Sequence, residues 1–323
     1  MTLNLFYQEP NPDRWVPYDR YPRALARRLV RGAPRPGGQM MVFLNLVKGL
    51  DRIGQPYRVN DFRYARHHPD ELACIVGKPQ VLFDREWKNP VLFGASIFSH
   101  PIDHPDLFER YPVREVLVPG EWMRRMFEPT YGDRVTVWPV GIDTDEWTSG
   151  GEEKTVDFLL YDKVRWDHDA YEASLIRPIK EELVRRGLTH TELRYGSYEP
   201  DDLKAAVRRC RAALFLCEHE TQGIAYQQML SSGVPILAWD RGGDWQDPQL
   251  YPDRVRFGPV SSVPYWDERC GVTFENAEAF APALDEFLEG LAASRFAPRN
   301  YVVENLTLEA SAQQYTDIAR SVV

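Results

Sequence analysis

Apolar runs of strand length alternate with segments of helical period along most of the chain, and this alternation constrains the fold more than any other feature. Runs such as VDFLLYD and AALFLC are apolar at consecutive positions, so both faces of each strand need cover, which a parallel sheet between helical layers provides. Successive parallel strands also need a crossover long enough to return the chain to the same end, and the helical segments supply it. A length of 323 residues exceeds one ordinary core and predicts two α/β domains of roughly 150 residues each. The 25 prolines are scattered and form no low-complexity tract, which excludes a disordered chain.

In the first half the pattern predicts strands over 3–7, 57–60, 81–84, 91–93, 115–118 and 135–138. A helix follows Gly37 and Gly38, with Val42, Leu46 and Leu50 at four-residue spacing, and stops at Gly54. A second helix occupies GEWMRRMFEPTYG and ends near Pro129. The segment WPVGIDTDEWTSGGEEK turns towards Gly, Ser and charge, which places a domain boundary there. The expected division is 1–143 and 144–307, with 308–323 packing back on the first domain. The second half repeats the doubly wound pattern through strands TVDFLLYD, TELRYG, AALFLC and PILAWD, and the chain is helical from about Phe280 onward.

A net charge of -9 excludes a protein whose main task is to coat nucleic acid. Cys74, Cys210, Cys217 and Cys270 show neither CxxC spacing nor the density of a secreted scaffold, so they are expected as reduced cytosolic thiols. The amino terminus lacks a signal-peptide pattern, and no apolar run is long enough to span a bilayer, so a soluble or peripheral protein is expected.

The stretch most telling of chemistry is RAALFLCEHETQGIAYQQMLSSGVPILAWDRGG, residues 211–243. A buried strand ends at Cys217, a polar loop follows, and a helix starts at about Gly223, facing the carboxyl edge of the sheet. Free N–H groups there form an anion site, and glycine lets a phosphate approach closely. Glu220 beside it would repel a phosphate but can accept hydrogen bonds from hydroxyls on whatever the phosphate carries. The alternative is a carboxylate that merely favours the helix dipole. Strand TVDFLLYD ends just before Lys163 and Arg165, setting two cations at the same edge, either for a leaving diphosphate or as ordinary solvated charges.

The pattern closely resembles the donor-binding signature of retaining, GT-B-type glycosyltransferases of family four. Glu220, Gly223, Ser232, Gly233 and Pro235 match it, and Gln228 stands where that family has a second Glu that holds the ribose. Gly37-Gly38 resembles the family's amino-terminal glycine loop, VPGEWMRRMF its Pro-Ser-x-Trp helix entry, and WPVGIDTDEW its interdomain Asn-Gly-Val-Asp segment. The resemblance implies two Rossmann-like domains facing a cleft, with carboxy-terminal helices crossing back to the first. It implies a nucleotide-sugar donor and no resident cofactor or metal. Glu220, Lys163, Arg165 and His100 would serve catalysis. Gly223, Ile224, Gln228, Gly196, Ser197, Gly37 and Gly38 would bind the donor, with the Tyr195–Tyr198 region at the base.

His100 and His104 both follow strand VLFG, and the proline after His100 favours an extended loop there. His67, His68, His168 and His190 are expected in solvent. Asp143-Thr144-Asp145 is an Asp-x-Asp triplet in the GIDTDEW connection, where Asp143 fits a turn cap better than a metal ligand.

Residues 20–35 carry Arg20, Arg23, Arg27, Arg28, Arg31 and Arg35 with no acid, which suits an anionic acceptor or the inner face of a membrane, or a solvated helix paired elsewhere. The expected acceptor is a glycan, lipid-linked or small-molecule hydroxyl. Two rivals remain: a sugar-nucleotide epimerase or phosphorylase on the same plan, and a nucleotide-sugar-binding protein without turnover.

Overall fold

The structure is a computed structural model that describes residues 1–10, 37–95 and 97–323. The arginine-rich segment Arg20–Arg35 lies outside the described residues. The chain forms two compact units, one of Met1–Pro119, Phe127–Gly141 and Leu308–Val323, the other of Gly120–Met126 and Ile142–Thr307.

Unit 1 holds a parallel six-stranded sheet: β1 (Leu3–Phe6), β2 (Tyr57–Val59), β3 (Ala73–Ile75), β4 (Val91–Gly94), β5 (Val113–Val118) and β6 (Val135–Val137), in the order β2-β1-β3-β4-β5-β6. The strand expected at 81–84 is not there. Gln80–Phe83 is helical, because Gly77 and Lys78 turn the chain with positive φ and Pro79, with φ near helical values, opens the helix. The strand between β1 and β4 is the earlier run Ala73–Ile75, fully buried on both faces.

Helix Gly38–Arg52 buries Val42, Phe43, Leu46 and Leu50, as the four-residue spacing predicts. The last helix, Leu308–Ser321, returns to pack on it. A Cβ at Gly49 would lie 2.4 Å from the carbonyl oxygen of Leu308, so the two helices approach as closely as they do only because position 49 has no side chain. Trp138, fully buried, donates from Nε1 to the carbonyl of Ser311 at 2.9 Å and packs edge-on to Tyr315.

Unit 2 holds a parallel five-stranded sheet: β7 (Val156–Asp162), β8 (His190–Arg194), β9 (Cys210–Leu216), β10 (Ile236–Trp239) and β11 (Gly271–Phe274), in the order β11-β10-β9-β7-β8. Period two along β7 sends Phe158 and Leu160 to one core layer, with Leu214, Leu237 and Phe287. It sends Leu159 and Tyr161 to the other, with Phe215, Tyr226 and Met229. Both layers are buried, which is why the run is apolar throughout. β11 has no counterpart among the expected strands, because its VTF core is short and lies inside a polar loop.

Candidate active site

β7 and β9 are neighbours in register, with Asp162 opposite Leu216. The residues that follow each strand therefore leave the sheet side by side at its carboxyl edge. That register brings Lys163 and Arg165 against the loop Cys217–Gly223. Lys163 donates from Nζ to Oε2 of Glu220, and its ammonium lies 4.6 Å from the Tyr195 ring centroid. Burial works against the charged ammonium, but the Glu220 carboxylate outweighs it and holds the Lys163 pKa above its ordinary value. The other oxygen of Glu220 accepts from the Thr221 N–H at 3.1 Å, so the carboxylate is fixed from two sides.

Gly223 caps the helix Ile224–Ser231 in the left-handed region, at φ +69. A Cβ there would meet the Tyr226 ring at 2.0 Å and Glu220 Cγ at 2.9 Å, so both backbone and space demand glycine. Ile224 is the first helical residue, and Gln228 sits half-buried one turn further on.

Arg165 is held by its neighbours in β9's loop. Its N–H and that of Trp166 donate to Oε1 of Glu218 at 2.7 and 2.8 Å, and its guanidinium donates to the carbonyl of His219 at 3.1 Å. Glu218 is fully buried and shapes the Lys163–Trp166 loop; the sequence pattern assigns it no role, although an acid between Cys217 and His219 at the end of a buried strand is a signal. His219 is also buried, among the rings of Trp122, Trp166 and Trp245. Burial first, then the charges of Arg165, Arg241 and Lys163, push its pKa down to about 2, so it stays neutral. Trp122 donates from Nε1 to the carbonyl of Glu220 at 2.9 Å and supports the same loop.

Gly196 (φ +83) and Ser197 form an exposed turn after β8, beside Tyr195, which is half exposed. Tyr198 shares a 2.7 Å hydrogen bond with Tyr161 at the end of β7. His168, expected in solvent, instead sits 2.8 Å from Asp162, which also accepts from Arg194 at 2.6 Å. The Asp162 carboxylate is thus hydrogen-bonded from β8 on one side and from the segment after β7 on the other.

His100, Gly37 and Gly38 belong to unit 1. The His100 ring caps a short turn, accepting from the Ile102 N–H at 3.0 Å. Gly37 caps helix Gly38–Arg52 with φ −73 and ψ 170, an extended conformation open to any residue. Asp143 caps its own turn, accepting from the N–H groups of Asp145 and Glu146 at 3.1 and 3.2 Å. Among the described residues, no helix is long and apolar enough to cross a membrane.

No protein-family profile matches this sequence, and no curated protein matches it either. Its solved structural relatives are distant in sequence. Sucrose-phosphate synthase from Thermosynechococcus elongatus superposes with a TM-score of 0.59 at 13% identity, covering 88% of this chain and 94% of the synthase. WaaG, a glycosyltransferase involved in lipopolysaccharide biosynthesis, gives 0.53 at 12% identity, covering 88% of this chain and 97% of WaaG. The pneumococcal O-GlcNAc transferase GtfA, in complex with UDP and GlcNAc, gives 0.51 at 11% identity over 80% of this chain. The chain spans 59% of that GtfA chain and the same share of the chain it matches in the GtfA/B complex. The chain therefore has the GT-B fold of these glycosyltransferases: two parallel-sheet α/β units whose last helix returns to the first.

Proposed function

We propose that the chain is a glycosyltransferase that moves a sugar from a nucleoside-diphosphate donor to an acceptor hydroxyl, with retention and without a metal. The carrying observation is that one carboxylate, Glu220, and one ammonium, Lys163, are held together beside the glycine-started helix Ile224–Ser231. On this reading the helix end, Lys163 and Arg165 take the diphosphate, and Glu220 takes the sugar hydroxyls. Gln228 meets the ribose and the turn at Tyr195–Tyr198 borders the base. The GtfA complex with UDP and GlcNAc supports a nucleotide-linked donor for this fold.

Negative charge grows on the diphosphate as the sugar bond breaks, and fixed cations stabilise that stage more than the ground state. The acceptor hydroxyl attacks the anomeric carbon from the face the diphosphate leaves, and a phosphate oxygen takes its proton, so no protein base is called for. Metal independence is supported by two cations, Lys163 and Arg165, at the carboxyl edge of the sheet beside the helix start, able to supply the positive charge a leaving diphosphate needs.

A thermal-shift panel of nucleoside diphosphates, paired with an assay for nucleoside diphosphate released from nucleotide sugars in EDTA, tests this. One nucleotide should raise the melting temperature, since a ligand selective for the folded form stabilises it, and its sugar conjugate should turn over. Binding without release across acceptors would favour the binding-protein reading; no binding at all would end both.

A further inference from the structure

Unit 1 contains a cavity of about 440 Å³ between helix Phe62–His67 and the segment that leads into β4. That volume lies within the ~300–1,000 Å³ typical of small-ligand sites. Two of its walls are aromatic and anchored. The Phe62 and Trp87 rings each stand 4.9 Å from Phe6 of β1, and the Trp87 indole N–H donates to the carbonyl of Val81 at 3.2 Å. Of the other lining residues, Arg66, Arg85 and Lys88 are cationic. Arg85 lies 4.2 Å over the Phe62 ring and donates to the neutral side chain of Gln8. Arg66 and Lys88, both exposed, have no carboxylate partner among the described residues. Three cations against the single acid Glu86 is a local excess in a chain of net charge -9.

A second hollow in the unit, of about 280 Å³, shows the contrast. There Glu71 accepts from Asn4 and Tyr64, Arg58 lies 3.8 Å over Tyr64, and the lining has two acids, Asp70 and Glu71, against one arginine. In the larger cavity the balance is reversed, with Arg66 and Lys88 beside aromatic side chains and without a carboxylate partner among the described residues.

We infer that this cavity is a binding site for an anionic monosaccharide, one bearing a phosphate or a carboxylate. The anion meets Arg66, Arg85 and Lys88, where charge-assisted hydrogen bonds are strongest. The C–H face of the ring lies against the Trp87 indole, which buries it without a directional demand. The inference stands independently of the transferase reading, because none of these residues belongs to the unit 2 site.

Calorimetry on the full chain with glucose 6-phosphate, glucuronate and glucose tests it, with the Trp87 indole N–H resonance as the local readout. At least one anion binds and shifts that resonance, with glucose roughly tenfold weaker or more, since it lacks the charge. Binding of glucose 6-phosphate alone names phosphate as the group read, and binding of glucuronate alone names carboxylate. The double variant R66E/K88E alters only exposed side chains, so it should fold, and it weakens anion binding roughly tenfold or more through reversed charge. E220Q leaves this binding unchanged. Three outcomes overturn the inference: no binding at millimolar concentration, equal binding of glucose, or an anion whose affinity falls in E220Q and not in R66E/K88E.

Discussion

Each unit begins a helix at a glycine, yet the two glycines do different things. Gly223 sits at φ +69 with the Tyr226 ring 2.0 Å from where its Cβ would be, and it is surrounded by Glu220, Lys163 and a buried polar loop. Gly37 sits in extended backbone, and a Cβ added there would meet nothing within 4 Å. The first is required by the chain's own geometry and lies in a cluster of opposed charges; the second is tolerated by geometry and lies in none described. Of the two, only Gly223 is fixed by backbone strain and crowding together.

Lys163 offers the sharpest way to break that contrast. If the charged cluster at Gly223 is catalytic, K163A lowers kcat by about 10²-fold to 10³-fold, the usual cost of removing a fixed group that stabilises transition-state charge. KM changes less, because the stabilisation grows with charge separation. K163R should restore part of the loss, since it keeps the charge. A K163A enzyme with unchanged turnover, measured by nucleoside diphosphate release, would place the chemistry elsewhere.

The glycines themselves can be compared next. G223A forces a side chain into the left-handed region and into the Tyr226 ring, and should cost about 2–4 kcal/mol in urea unfolding, combining backbone strain with overpacking. G37A, free of both, should fall within about 0.5 kcal/mol of wild type. Equal costs at the two positions would erase the distinction.

Most of the architecture is legible in the sequence because both-sided burial writes continuous apolar runs, as in FLLY of β7 and AALFL of β9. Two strands escape the pattern for a physical reason. Ala73–Ile75 and Gly271–Phe274 are three or four residues long, and their neighbours in the sheet, not their own pattern, make them strands. The 81–84 run imitates a strand because apolar character alone does not tell a buried strand from a buried helical turn, and Gly77-Lys78-Pro79 decides it. At the site, motif alone singles out Lys163 and Glu220, but their pairing depends on the Asp162–Leu216 register. The roles of Glu218 and His168 are written in loop contacts, which carry no periodicity.

The smallest effect separates the two units by pH. An unfolded histidine titrates near 6.5, whereas burial and the nearby cations hold folded His219 down to about 2. Between those values the unfolded chain carries a proton that the folded chain refuses, so His219 makes stability fall as pH falls through that window, by at most about 1.4 kcal/mol per pH unit. Above about pH 7 both states are neutral and the contribution is flat. His104 in unit 1 is lowered in the same direction, by burial that Asp103 partly offsets, and serves as the matched control. Urea unfolding at pH 7, 6 and 5 should show a shallower acid slope in H219Q than in wild type, with H104Q between them. A slope untouched by H219Q would mean that His219 takes up its proton in the fold, and the tryptophan-walled loop beside Glu220 would then be open to water rather than closed around a neutral ring.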